Sequence, residues 1–404
     1  MKVLVINSGS SSLKYQFIDI EKNEAVAKGI CERIGMQGSK ITYAPIGKDK
    51  IVKEAPIPNH TAGIKLVLDA LEDKEFGVIK SLKEIDAVGH RVVHGGEKFA
   101  SSVLITDEVI DVIESLTDLA PLHNPANLTG IRAFKELMPD VPMVGVFDTA
   151  FHQTMPKEAY LYALPYSAYT DLMIRRYGFH GTSHYYVSRR AAELLGKPIE
   201  QTKIVTCHLG NGSSIAAVDG GKSIDTSMGF TPLEGVPMGT RCGDIDPAIV
   251  TYLMEKLNLD VAGVTEYMNK KSGVFGISGI SSDFRDLADA EHTDERAALA
   301  LKVFAYKVKK YIGAYACAMG GLDAIVFTAG VGENDRRVRE LVLEGLEFLN
   351  VEADFELNMT CPRGATVDLA KPSSKVRVFV IPTDEEMVIA KDTARIVKEM
   401  QNAK

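Results

Sequence analysis

Apolar residues along this chain fall into short runs that stop abruptly at polar or glycine residues. VLVIN (Val3 to Asn7), AVGHRVVHGG (Ala87 to Gly96) and MVGVFDTAFH (Met143 to His152) have this form. So do IVTCHLGNGSS (Ile204 to Ser214), AIVFTAGVGEN (Ala324 to Asn334) and VRVFVIPTDEE (Val376 to Glu386). Short apolar runs bounded by turn formers predict buried strands. Helical patterns lie between them, over Thr61 to Leu71, Tyr185 to Leu195 and Asp294 to Ala318. This alternation predicts an α/β protein with its chemistry at the strand ends. The stretch nearest to a membrane span, Tyr311 to Gly330, is interrupted by Gly320, Gly321 and Asp323, so it predicts a buried helix, a turn and a buried strand.

A short repeat suggests two related halves. GSSSLKYQFID (Gly9 to Asp19) and GSSIAAVDGG (Gly212 to Gly221) both set Gly-Ser-Ser between an incoming and an outgoing strand, about half a chain apart. A length of 404 residues also favours two domains over one core. No Pro-rich linker marks the boundary, which is placed near Ala150.

Bulk properties narrow the function. A formal net charge of −8 without a Lys/Arg block argues against a nucleic-acid binder. Four apolar residues before Asn7 are too few for a signal-peptide core, and no membrane partner is expected. Cys31, Cys207, Cys242, Cys317 and Cys361 are scattered, which fits reduced thiols and a cytoplasmic protein. His90 and His94 have a metal-pair spacing, but in a strand-and-loop segment that spacing does not converge on a zinc ion.

The hydroxyl-rich turn NSGSSSLK, with Asn7, Ser10, Ser12 and Lys14, raises the question of phosphate. No P-loop is present; in AAVDGGKS, Ala216 stands where the first glycine is needed, and the Asp-Gly-Gly reads as a hairpin turn. No Rossmann glycine pattern follows a strand. What remains is NSGSSSLK, HLGNGSS and TAGVGEN, each after an apolar strand and each offering backbone amides and hydroxyls to oxyanions.

These motifs, with GHRVVHGG, PLHNPAN, VFDTAFH, RRYGFHGTSH, TSMGFTPLEG, GTRCGDIDP, GISSDFRD and PTDEE, occur in one order through most of the chain. In them the chain resembles the acetokinase family, within the superfamily of acetate and sugar kinases, actin and its chaperone relatives. The resemblance implies two similar domains of the actin-like ATPase (ribonuclease H-like) fold flanking a nucleotide cleft. Residues 1–150 would form the N-terminal domain, joined by a C-terminal helix over 386–404, and 151–385 the nucleotide-binding domain. It implies ATP and ADP, Mg²⁺ or Mn²⁺, acetate as the small-molecule acceptor, and a homodimer. A propionate or butyrate kinase is the alternative within the family. A nucleotide switch like the chaperone or filament members is the alternative outside it.

Carboxylate phosphorylation needs positioning and charge neutralisation rather than a general base, and arginine supplies both. By resemblance Arg91 holds the carboxylate and Arg241 stabilises the transferred phosphoryl group; from spacing alone either is as well a surface ion-pair partner. His180 would hydrogen-bond phosphoryl oxygens, supported by His123 and His208, while His60, His152 and His292 read as packed or exposed. Asp148, at a strand end, would lie beside the phosphate and the metal, or else cap a helix. Asn7 and Glu385 would meet the metal, although PTDEE alone leaves Glu385 and Glu386 equivalent. Lys14 and the turn His208, Leu209, Gly210, Asn211 and Gly212 would embrace phosphates. Asp283, Phe284 and Arg285, with Gly330, Val331, Gly332, Glu333 and Asn334, would hold adenosine; Asp283 also reads as an N-cap and Phe284 as core. Val93, Leu122, Phe179 and Pro232 would line a small acyl pocket, and plain core packing is the alternative for them.

Overall fold

Buried strands gather into an eight-stranded and a six-stranded sheet in the computed structural model, which describes residues 1–121 and 123–403. Each sheet lies in its own compact unit: Met1–Ala150 with Asp384–Lys404, and Phe151–Thr383.

The first unit contains β1 (Lys2–Ser8), β2 (Ser12–Asp19), β3 (Glu24–Glu32), β4 (Lys40–Pro45), β5 (Ile51–Glu54), β6 (Ala87–Val92), β7 (Val103–Leu104) and β8 (Met143–Phe147). Their order is β5-β4-β3-β2-β1-β6-β8-β7. β1, β6 and β8 run parallel, so their C-terminal ends lie along one edge. Successive side chains of β1 alternate between faces. Leu4 and Ile6 join the core that includes Ile64, Val67 and Phe134, whereas Val3 and Val5 join Ile389, Ala390 and Val397 of the C-terminal helix. Burial on both faces explains the unbroken VLVI run. Each such side chain contributes about 1.5–3 kcal/mol.

The C-terminal helix spans Glu385–Asn402, one residue earlier than the sequence suggests, because Asp384 accepts a bond from Met387 N and caps it. It packs so closely on β6 that a Cβ at Gly89 would stand 2.8 Å from Ile389 Cγ2.

The second unit holds β9 (Lys203–Leu209), β10 (Ser213–Asp219), β11 (Lys222–Thr226), β12 (Ala324–Thr328), β13 (Val367–Asp368) and β14 (Arg377–Val380), in the order β11-β10-β9-β12-β14-β13. The helix Glu295–Met319 buries Ala300, Leu301, Phe304 and Val308 against Val205, Cys207, Ile215 and Ala217 on one face. Gly181–Leu195 places Val187 and Ala191 beside Ile204, Ala216 and Val218 on the other. Gly320, at φ 64°, ends the long helix and leads into β12, as the glycine pair there predicts.

The two sheets share a five-strand core: β3-β2-β1-β6-β8 in one corresponds to β11-β10-β9-β12-β14 in the other, with the same strand directions. Residues 9–11 and 210–212 are therefore equivalent turns; the Gly-Ser-Ser repeat points to the right pair of turns but two residues out of register, since Gly9-Ser10-Ser11 corresponds to Gly210-Asn211-Gly212. The Asp-Gly-Gly after β10 is a hairpin turn, with Gly220 and Gly221 at φ 55° and 77°. Among the described residues no helix is long and apolar enough to cross a membrane.

Candidate active site

In each unit some candidate residues lie at or just past the C-terminal ends of parallel strands, where open α/β sheets bind ligands: Arg91 and Asp148 in the first, His208, Leu209 and Gly330 to Asn334 in the second. In the first unit Arg91 lies near the end of β6 and Asp148 directly follows β8. Arg91 Nε donates to Asp148 Oδ1 at 2.9 Å and Nη2 to Oδ2 at 2.5 Å, a two-pronged ion pair. The Asp148 side chain is 2% exposed and that of Arg91 23%. Burial works against the Arg91 charge, but Asp148, Glu385 and Glu386 outweigh it and hold the guanidinium firmly protonated. Asp148 is thus an ion-pair partner at a strand end.

Glu385, first residue of the C-terminal helix, belongs to the same group of charges. Burial pushes its carboxyl up to about 7; Arg91 opposes this, while Asp148 and Glu386 reinforce it. Asn7 stands on β1 opposite Lys14 on β2, and Lys14 is exposed. Among the described residues no three His, Cys, Asp or Glu side chains converge as a metal cage. Val93 is buried, 7% exposed, and its N donates to Asn127 Oδ1 at 3.0 Å. His123 precedes the helix Asn124–Leu137. Leu122 lies outside the described residues.

The second unit brings His180, the 210–212 turn and Arg241 together. A Cβ on Gly212 would stand 3.5 Å from Arg241 Nη1 and 3.7 Å from His180 Nε2. Arg241 is half-buried; its guanidinium donates to Pro232 O at 3.1 Å and contacts Met238 Sδ, with no carboxylate partner among the described residues. Burial lowers its pKa, so its cation lies in a site without a counter-charge. His180 has left-handed backbone, φ 56°, before the helix Gly181–Leu195, and its ring stacks on His208 with centroids 4.0 Å apart. Non-glycine residues in this conformation are costly and cluster at functional sites. Phe179 is buried and Pro232 half-buried.

His208 and Leu209 end β9 and are buried, while Asn211 is exposed at the turn. Gly210 N donates to Gly212 O at 3.2 Å. The adenosine candidates are placed differently. Asp283 caps the helix Phe284–Ala290 by accepting from Arg285 N, and the Arg285 side chain pulls its carboxyl down to about 2. Phe284 is buried in the core against Phe304. The structural alternatives stated for both residues are therefore realised. TAGVGEN forms a short helix, Ala329–Asn334, at the end of β12. Its Ala329 sits at φ 63°. Ala329→Gly is expected to raise stability by about 1 kcal/mol, read by urea denaturation, because glycine takes this conformation without strain.

Several positioning residues escape sequence reading. Asn127 Nδ2 donates to Ser8 O at 2.9 Å, so this one side chain ties the end of β1 to Val93. Asn124 bonds both backbone groups of His94. Arg339 is wholly buried and donates to Gly332 O and Glu333 O, each at 2.9 Å, bracing the Ala329–Asn334 turn. The clue for the asparagines is two amides in the apolar-faced PLHNPAN segment, and for Arg339 a basic residue on the buried face of its helix.

Comparison with known proteins places this arrangement. The chain superimposes on the crystal structure of Porphyromonas gingivalis acetate kinase with a TM-score of 0.94, at 52% identity, covering 98% of this chain and 99% of that one. A propionate kinase from Francisella tularensis superimposes with a TM-score of 0.91 at 40% identity, over 98% and 99%. The acetate kinase of Caldanaerobacter subterraneus subsp. tengcongensis is 63% identical over 400 residues, 98% of this chain and 99% of the relative. This similarity over nearly the whole chain defines a kinase, and use of ATP and ADP follows from that class. The acetokinase family model matches residues 2–391, and the chain belongs to that family.

Proposed function

We propose that the chain catalyses reversible in-line transfer of the ATP γ-phosphoryl group to acetate, giving acetyl phosphate and ADP. The carrying observation is Arg241: a half-buried guanidinium beside a glycine turn and His180, with no carboxylate partner among the described residues. A protein retains such a cation where an anion arrives to pair with it. Acetate is ionised at neutral pH and attacks without a general base, so catalysis consists of aligning it and neutralising charge on the moving phosphoryl group.

In this reading Arg91 binds the acetate carboxylate, and Asp148 orients Arg91 by its two-pronged bond. Arg241 and His180 contact the phosphoryl oxygens, with His123 and His208 in support. Lys14 and residues 208–212 hold the ATP phosphates; Asp283 to Arg285 and Gly330 to Asn334 hold adenosine. Val93, Leu122, Phe179 and Pro232 are the residues this reading assigns to the acyl group. Mg²⁺, or Mn²⁺ in its place, fits Asn7 and Glu385: both offer hard oxygens, and Glu385 is a half-buried carboxylate whose neighbours Asp148 and Glu386 raise its pKa against the pull of Arg91. When bound, the ion would neutralise phosphate charge. An open donor set suits an ion that keeps several waters and takes further ligands from phosphates. A cytoplasmic homodimer completes the reading, and the five free thiols fit a reducing compartment.

The test is ATP-dependent acyl phosphate formation, trapped with hydroxylamine, on acetate, propionate and butyrate in parallel. Acetate is expected to react best, with kcat/KM falling roughly 10–200-fold for an added methylene. Butyrate reacting best would overturn the pocket assignment. ATP hydrolysis indifferent to every carboxylate would overturn the kinase reading in favour of a nucleotide switch.

A further inference from the structure

Behind His180 runs a buried chain of side chains. Thr206 Oγ1 lies 2.7 Å from His184 Nδ1, His184 Nε2 lies 2.7 Å from Ser214 Oγ, and Ser214 Oγ lies 2.8 Å from His180 Nδ1. Thr206, His184 and Ser214 are all wholly buried. Burial holds His184 well below the ordinary histidine value, so its ring is neutral and carries one N–H.

Each hydroxyl has one proton, which leaves the chain two orientations. In the first, Thr206 donates to His184 Nδ1, His184 Nε2–H donates to Ser214, and Ser214 donates to His180 Nδ1. In the second every bond is reversed. The Thr206 proton then has no acceptor, because His184 is the only hydrogen-bond partner of that hydroxyl among the described residues. Leaving a buried hydroxyl proton unpaired is costly, and the first orientation pairs every proton in the chain. A charged His180 would donate Nδ1–H to Ser214, and then either the Ser214 proton or, with the rest of the chain reversed, the Thr206 proton would lack an acceptor.

We infer that Thr206, His184 and Ser214 are positioning residues that fix His180 as the neutral tautomer protonated on Nε2. His180 is then a directed hydrogen-bond donor to a phosphoryl oxygen, and the positive charge in this unit's site comes from Arg241. The phosphoryl contact rests on the function proposed above; the tautomer does not.

The experiment is imidazole ¹⁵N spectroscopy of the full chain at pH 7, with the His180 signal assigned by its loss in His180→Gln, alongside steady-state kinetics. The wild-type protein is expected to show His180 neutral, with Nε2 protonated. Ser214→Ala and Thr206→Val should each mix the tautomers and lower kcat about tenfold, the worth of one hydrogen bond, with the ATP KM within about twofold. Thr206→Ser should restore both. His180 protonated on Nδ1 or on both nitrogens in the wild type would overturn the inference, as would an unchanged tautomer in folded Ser214→Ala. Absence of carboxylate-dependent turnover with the expected tautomer present would overturn the phosphotransfer reading and leave the relay supported, because the spectrum needs no turnover.

Discussion

Arg241→Ala is expected to lower kcat about 10³-fold, the lower end of what a phosphoryl-directed arginine contributes, while the melting temperature stays close to that of the wild type. The two halves of this expectation have separate causes. For stability, the guanidinium donates to Pro232 O at 3.1 Å, a bond worth about 1 kcal/mol, and makes a weaker contact to Met238 Sδ. Against that loss stands relief from holding a half-buried cation that has no carboxylate partner among the described residues and whose burial lowers its pKa. For rate, the same missing counter-charge leaves the guanidinium available to an incoming anion. Charge on the phosphoryl oxygens spreads most in the transition state, so the loss should appear in kcat more than in the KM for ATP. Arg241→Lys should recover only part of the rate, since an ammonium supplies charge without the planar fork. A variant retaining more than about a tenth of wild-type kcat would remove Arg241 from the chemistry. A drop of many degrees in melting temperature would make it a structural residue instead.

The parallel strands were legible because their burial on both faces turns them into unbroken apolar runs. Val3 to Ile6, Met143 to Phe147 and Ala324 to Phe327 all read that way, and each halts at a polar residue at or just past the end of its strand. The outer antiparallel strands were not legible for the converse reason. Glu24–Glu32 and Ile51–Glu54 are only partly buried and mix charged with apolar side chains. The site divides along similar lines. A strand-end Asp148 or a glycine-flanked Arg241 stands out in its local context. The bond from Arg91 to Asp148 crosses 57 residues, and nothing local announces it.

The relay behind His180 was hidden differently. Thr206 lies on β9, Ser214 on β10 and His184 on a helix, so they meet only once the sheet has formed. Part of it could have been read: Thr206 and His208, two apart on β9, share a face, and Ser214 stands opposite His208 in the β9–β10 pairing. Asp283 and Phe284 show the reverse limit, because family resemblance assigns them to a ligand while local chemistry already supplies a cap and a core residue.

Breaking the Arg91–Asp148 pair from one side should cost more stability than removing it altogether. Arg91→Ala leaves a carboxylate that was 2% exposed without its two-pronged partner, and the same change strips Glu385 of the guanidinium that opposes its protonation. Loss of about 3–5 kcal/mol is expected for that variant, as for any buried charge left uncompensated. Arg91→Ala/Asp148→Ala removes the stranded charge and should recover roughly 1–3 kcal/mol of it, a coupling read by urea denaturation of the single and double variants. Catalysis should show the opposite order. Arg91→Ala loses the fork for the acetate carboxylate, and Asp148→Ala loses the orientation of that fork, so both should lower kcat/KM for acetate by about 10³-fold or more, with no recovery in the double variant. Stability that recovers while activity does not would separate the pair's structural and catalytic parts. Equal stability of Arg91→Ala and the double variant would mean that Asp148 finds other compensation. Activity within tenfold of wild type in Arg91→Ala would place the acetate carboxylate elsewhere.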